Sequence, residues 1–213
     1  MTQIRSLIEL NEFLSRDIAS RKQELTTFKL RMSSARDHEK KALLRAGFVM
    51  IYAHFEGFIK AASSAYVRYV SHQGLSFNLL KHNFVAIGLK SELQDLGDIQ
   101  KATVVNTTVR RFLNGMNDTA PFLWHGEMDT RSNLKSEVLL EIFALTGLDT
   151  TWYQTKLAFV DQTLVENRNN IAHGSHFQPD ESDYLRAHDQ TIEILERFRT
   201  DVENAAATTS FRR

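Results

Sequence analysis

Breakers of regular structure are scarce in this chain, and that scarcity limits its fold more than any other feature. Its 213 residues include two prolines, Pro121 and Pro179, and nine glycines. Long helical periods can therefore run uninterrupted, which favours helices over a turn-rich β architecture. From Ile4 to Met32 apolar residues recur at helical spacing, at Ile4, Leu7, Ile8, Leu14, Ile18, Leu25 and Phe28. Arg16, Asp17, Arg21, Lys22 and Glu24 fill the opposite side, so this is a long amphipathic helix. A second helix is expected to begin at Ser33 or Ser34 and to end before Gly74. Its apolar stripe includes Leu44, Phe48, Ile51, Tyr52, Phe55, Phe58, Ile59, Ala62, Tyr66 and Tyr69. A stripe that wide marks the central core helix.

The middle of the chain is less regular. Residues 75–128 read as an insertion or cap, with shorter helices over 79–96 and 103–113 and a loop marked by Pro121, Trp124 and Gly126. Helical order returns over 132–147, with Ser132 or Asn133 as the expected N-cap and Gly147 at the C-terminus. A further helix is expected over 153–172, with Leu157, Val160, Leu164 and Ile171 inward and Gly174 ending it. Pro179 and Asp180 open the last helix, where Asp180 and Asp183 serve as cap and first-turn anion. The tail 208–213 is expected to fray. The fold class is all-α, a helical bundle with a helical and loop insertion in the middle, in one domain spanning 1–213.

Composition narrows the chemistry. The chain has no cysteine, which excludes disulfides, thiolate nucleophiles and cysteine-based zinc sites and fits a reducing, cytoplasmic setting. Glu9 and Glu12 interrupt the apolar residues near the start, so no secretory signal forms there. The apolar run from Ala46 to Phe58 is broken by His54 and Glu56 and is too short to span a bilayer. No membrane is expected as a partner. Twenty-six basic residues balance twenty-six acidic ones. Any RNA must then be held at a local site rather than on a broad cationic face.

One segment carries such a site: Glu166-Asn167-Arg168-Asn169-Asn170-Ile171-Ala172-His173-Gly174. RNA can be cleaved without a metal when its own 2′-hydroxyl attacks the adjacent phosphorus. The protein must then move protons and offset charge on the phosphoryl oxygens. Histidine suits the first task, with an unperturbed pKa of about 6.5. Arginine suits the second, because its planar guanidinium grips phosphate oxygens and stays charged. Five residues along a helix turn the chain by roughly 140° and raise it about 7.5 Å, so Arg168 and His173 can border one groove without sharing a face. The last turn of a helix carries the negative end of its dipole, a setting that suits a general acid. Asn169 could orient the phosphate or the histidine, and Glu166 could steer the arginine. Asn169 and Asn170 are poor helix formers whose cost packing alone does not repay.

Other groupings read as ordinary structure. His173, His176 and His188 with Asp180 match no regular metal-ligand spacing, and neither a metal nor a cofactor is expected. His54 reads as a satisfied interior histidine and Glu56 as a solvent-facing glutamate. Thr130, Ser132 and Asn133 read as capping residues, and Arg110 with Arg111 equally as an RNA-backbone contact or a solvated helix face.

The string from Val165 to Gly174 resembles the signature of the HEPN superfamily, an arginine followed by four to six residues and a histidine. Two further stretches, Ile51-Tyr52-Ala53-His54-Phe55-Glu56-Gly57-Phe58-Ile59-Lys60 and 129–139, resemble its MAE-type branch of HEPN-like nucleases. The resemblance implies a helical bundle that dimerises and brings two motifs into one composite cleft. It implies a metal-independent endoribonuclease in a toxin–antitoxin, restriction or antiphage defence setting, with Arg168 and His173 at the catalytic positions and Asn169 as the polar neighbour. An antitoxin or a neighbouring-gene defence protein would be the regulator. Some HEPN toxins carry, two residues after the histidine, a tyrosine that a nucleotidyltransferase antitoxin modifies; here that residue is Ser175. The alternative is a non-catalytic HEPN module that binds a nucleotide or a partner protein.

Overall fold

The computed structural model describes residues 4–89, 102–117, 127–131 and 133–213. Three long helices form its frame: α1 (Leu7–Ser33), α2 (Asp37–Ser71) and α8 (Glu181–Ala207), each packed against the other two. Between α2 and α8 lie a 3-10 turn (Phe77–Leu79), α3 (His82–Gly88), α4 (Ala102–Gly115) and α5 (Ser136–Thr146). They are followed by a 3-10 turn (Thr151–Lys156), α6 (Leu157–Phe159), a π-helical turn (Val160–Val165) and α7 (Glu166–Ala172). No strand occurs among the described residues; an isolated bridge joins Leu80 and Arg212.

Local chemistry sets the helix ends. Ser6 caps α1 in a reciprocal box with Glu9, the Glu9 N–H donating to Ser6 Oγ at 3.2 Å and the Ser6 N–H to Glu9 Oε2 at 2.9 Å. Ser33 and Ser34, expected to open the second helix, instead close the first. The Ser34 hydroxyl bonds back to the Leu30 and Arg31 carbonyls at 3.1 Å, satisfying groups a helix C-terminus leaves orphaned. Helix α2 starts at Asp37 and is the core helix the apolar stripe predicts. It is also the one described helix long and apolar enough to cross a membrane, but its apolar side is buried against the other helices. At Gly47 the helices approach so closely that a Cβ would lie 2.5 Å from the Tyr184 ring and 2.8 Å from Phe28.

Two expectations are corrected in the periphery. The helix expected over 79–96 is interrupted at Leu80 and Lys81, which are extended, and its described part is α3 alone. Phe84, Val85 and Ile87 of α3 are buried, Phe84 edge-on to Tyr66, so this part of the segment packs into the core. The loop marked by Pro121, Trp124 and Gly126 lies outside the described residues, as does Ser132. The tail does not fray. Phe211 is buried edge-on against Tyr69, and the Lys81 and Arg213 N–H groups donate to the Phe211 and Leu79 carbonyls at 2.9 and 3.1 Å. One buried aromatic and two backbone bonds hold these residues in place.

Candidate active site

Helix α2 presents Arg45, Tyr52 and Glu56 at spacings of seven and four, which places all three along one face. Tyr52 and Glu56 fasten the stretch before α5, and Arg45 the loop after α7. Tyr52 is buried, and its hydroxyl accepts the Leu134 N–H at 2.7 Å and reaches Asn133 Oδ1 at 3.3 Å. Glu56 accepts a hydrogen bond from the Thr130 hydroxyl. With Ser64 Oγ accepting the Met128 N–H at 2.8 Å, these bonds stitch the strand of chain before α5 onto α2. Burial first, and behind it the Glu56 carboxylate, push the Tyr52 pKa well above the usual phenol value, so the hydroxyl stays neutral.

Arg168 rests on this platform. Its guanidinium carbon sits 5.1 Å from the Tyr52 ring centroid, a cation–π contact, and its Nη1 donates to Asn169 Oδ1 at 2.8 Å. The steering expected of Glu166 is thus done by Tyr52 and Asn169. Glu166 is exposed and makes no hydrogen bond to Arg168. Asn169 is explained as well: its side chain bonds to the arginine, not to packing partners.

The segment that carries Arg168 is anchored at both ends. Upstream, Asp161 in the π turn accepts the Ser136 N–H at 2.8 Å and the Ser136 hydroxyl at 2.5 Å, capping α5. Asn133 does not cap it, because its side chain is engaged with Tyr52. A π turn inserts about one residue into the helix and rotates the residues after it by roughly 100°; such turns are frequent at functional sites. Downstream, α7 closes in a Schellman motif. Gly174 sits at φ 76°, the Gly174 N–H donates to Ile171 O at 3.1 Å, and the Ser175 N–H donates to Asn170 O at 2.9 Å. The Ser175 hydroxyl adds a bond to the same Asn170 carbonyl at 2.7 Å. Arg45 then clasps the outgoing loop, its Nη1 donating to the Ser175 carbonyl at 2.9 Å and to the Phe177 carbonyl.

His173 is the C-cap residue of α7, with its backbone N–H on the Asn169 carbonyl at 2.9 Å. Its ring is exposed and makes no hydrogen bond among the described residues. Arg168 faces inward onto Tyr52 while His173 stands at the helix end, and no hydrogen bond joins them. The structure therefore gives a fixed cation and a free imidazole on one short helix. Glu56, read as solvent-facing, and Thr130 and Asn133, read as caps, are instead the tie between the two other motif stretches. The heptad from Arg45 to Tyr52 was the available signal for this face. Among the described residues no group of three or more histidines and carboxylates could hold a metal ion. His188, buried on α8, pairs through Nδ1 with Asp189 at 2.7 Å.

Comparison with family descriptions gives a match to the MAE_28990-like HEPN family, over residues 10–211. Comparison with curated proteins and with solved structures returned no match. The family match spans nearly the whole bundle and includes all three stretches that meet at Tyr52, Glu56 and Arg168. The chain belongs to the MAE_28990-like HEPN family.

Proposed function

We propose that this HEPN protein is a metal-independent endoribonuclease that uses the RNA's own 2′-hydroxyl as the nucleophile. The observation that carries the reading is a guanidinium fixed by Tyr52 and Asn169 and, five residues on, an exposed imidazole with no hydrogen bond among the described residues, on a segment anchored at both ends. In this reading the 2′-oxygen bonds to phosphorus and gives up its proton, and the 5′-oxygen leaves with a proton. The products are a 2′,3′-cyclic phosphate and a 5′-hydroxyl. His173 transfers protons, and Arg168 offsets charge on the phosphoryl oxygens. A homodimer would set two such segments across a composite cleft, and an antitoxin or a neighbouring defence protein would restrain a cytoplasmic toxin or antiphage effector. The test is cleavage of mixed RNAs in EDTA by wild type, Arg168→Ala and His173→Ala, with circular dichroism confirming the fold. Loss of cleavage in both folded variants is expected. Wild-type rates in both sink the mechanism.

A second reading has its own support. Arg168 is partly buried and already bonded within its own chain, and the net charge is zero. Both suit a non-catalytic HEPN module that binds a nucleotide or a partner protein. Wild type that cuts none of the RNAs yet retains a nucleotide or a co-purifying protein would favour it.

A further inference from the structure

Behind the Arg168–His173 segment lies a cavity of about 280 Å³ that the proposed chemistry does not use. One wall is the same segment, through Thr163 of the π turn and Asn167 of α7. The facing wall is α8, through Gln190 and the Asp183–Arg186 pair. Phe48 lies fully buried at the cavity, with Phe177 edge-on to it at 6.1 Å between ring centroids. Phe159 and Phe177 are only partly buried, so aromatic surface is open to the space.

Three features define what could enter. First, Thr163, Asn167 and Gln190 are half-buried, and no hydrogen bond engages their side chains among the described residues. Two amides and a hydroxyl left uncommitted beside apolar rings can donate and accept at once. Secondly, the charges at the cavity are Arg186 and Asp183, and they are ion-paired with each other. Its lining carries no net charge and suits a neutral group rather than a phosphate. Thirdly, the cavity shares a loop with the histidine: Phe177 lies four residues past His173, and Arg45 holds the carbonyls of Ser175 and Phe177 together.

A neutral planar ring with donors and acceptors on its edge, stacked on aromatics and read by amides, is a nucleobase of single-stranded RNA. We propose that this cavity binds a base next to the scissile phosphate, with Asn167 and Gln190 reading its edge and setting base preference. The assignment of the ligand as RNA rests on the endoribonuclease reading, while the pocket itself can be tested without cleavage.

The probes are the four 3′-nucleoside monophosphates, titrated into wild type and into Asn167→Leu/Gln190→Leu by calorimetry, with inorganic phosphate as a control. At least one nucleotide should bind wild type and lose about tenfold in affinity in the double variant, as two lost neutral hydrogen bonds predict. Phosphate binding should be unchanged. Should the double variant fail to fold, the single exchanges Asn167→Asp and Gln190→Glu keep size and remove donors, and should reorder the four affinities. On a random-sequence RNA, the variants should cut with relaxed or altered base preference. Nucleotide binding that depends on Asn167 and Gln190 in a protein that cuts no RNA upholds the pocket and rejects the nuclease. Cleavage with unchanged base preference, and nucleotide affinities indifferent to both residues, rejects the pocket and leaves the nuclease standing.

Discussion

Helices α2 and α7 touch, yet they are held in opposite ways. Seventeen of the thirty-five residues of α2 are buried, whereas none of the seven in α7 is. Helix α2 is fixed by the core; α7 is fixed by polar ties at its ends, by Ile171 packed against the core and by one arginine lying on one tyrosine. A helix of seven residues has almost no stability of its own. Its position is therefore borrowed from Asp161, Arg45, Tyr52 and the core beneath Ile171. Stability and activity should thus separate along the contact between the two helices.

That separation can be broken or sharpened by substitution, ranked by effect on stability. Phe58→Ala removes a fully buried ring from α2 and should cost about 3–5 kcal/mol in urea unfolding. If it costs under about 1 kcal/mol, α2 is not the frame. Tyr52→Phe leaves the buried Leu134 N–H without its acceptor and should cost about 1–3 kcal/mol, while the ring beneath Arg168 remains. Tyr52→Leu should cost as much and also slow RNA cleavage well below Tyr52→Phe, because the cation–π platform is gone. Arg45→Met frees two carbonyls of the loop after His173 and should cost about 1 kcal/mol, with faster amide exchange confined to 173–178. Arg168→Ala should cost about 1 kcal/mol or less, against a complete loss of cleavage. Equal losses of stability and activity would erase the contrast between the helices.

The smallest effect is a pH dependence at the start of α8. The Asp180 carboxylate caps that helix by accepting the Asp183 N–H at 2.7 Å, and that bond holds its pKa below the usual carboxylate value. A folded-state pKa below the unfolded one adds stability that is present above the unfolded value, about 3.9, and is lost as pH falls through the lowered one. Asp180→Asn, which also caps, should flatten that acid limb of the melting temperature and change little near neutrality.

Much of the frame was legible because it is written in periodicity. The stripe from Leu44 to Tyr69, the Asp180 cap and the glycine at Gly147, with φ 69°, each follow from local rules. Paired asparagines in a helix ask for a reason, and for Asn169 the bond from Arg168 supplies one. What stayed hidden was non-local. Nothing in the spacing of Thr130 or Asn133 reveals that they meet Glu56 and Tyr52, more than seventy residues away. A tyrosine in an apolar stripe looks like core whether or not its ring also carries a guanidinium. The π turn was illegible too; it carries Asp161, whose partner Ser136 lies 25 residues earlier.

The most direct measurement is the chemical nature of the RNA ends left by the wild-type protein in EDTA. A 2′,3′-cyclic phosphate with a 5′-hydroxyl, and no cutting of RNA whose 2′-oxygens are all methylated, is the result this account predicts. A 3′-hydroxyl with a 5′-phosphate, or cleavage of the methylated strand, would contradict it.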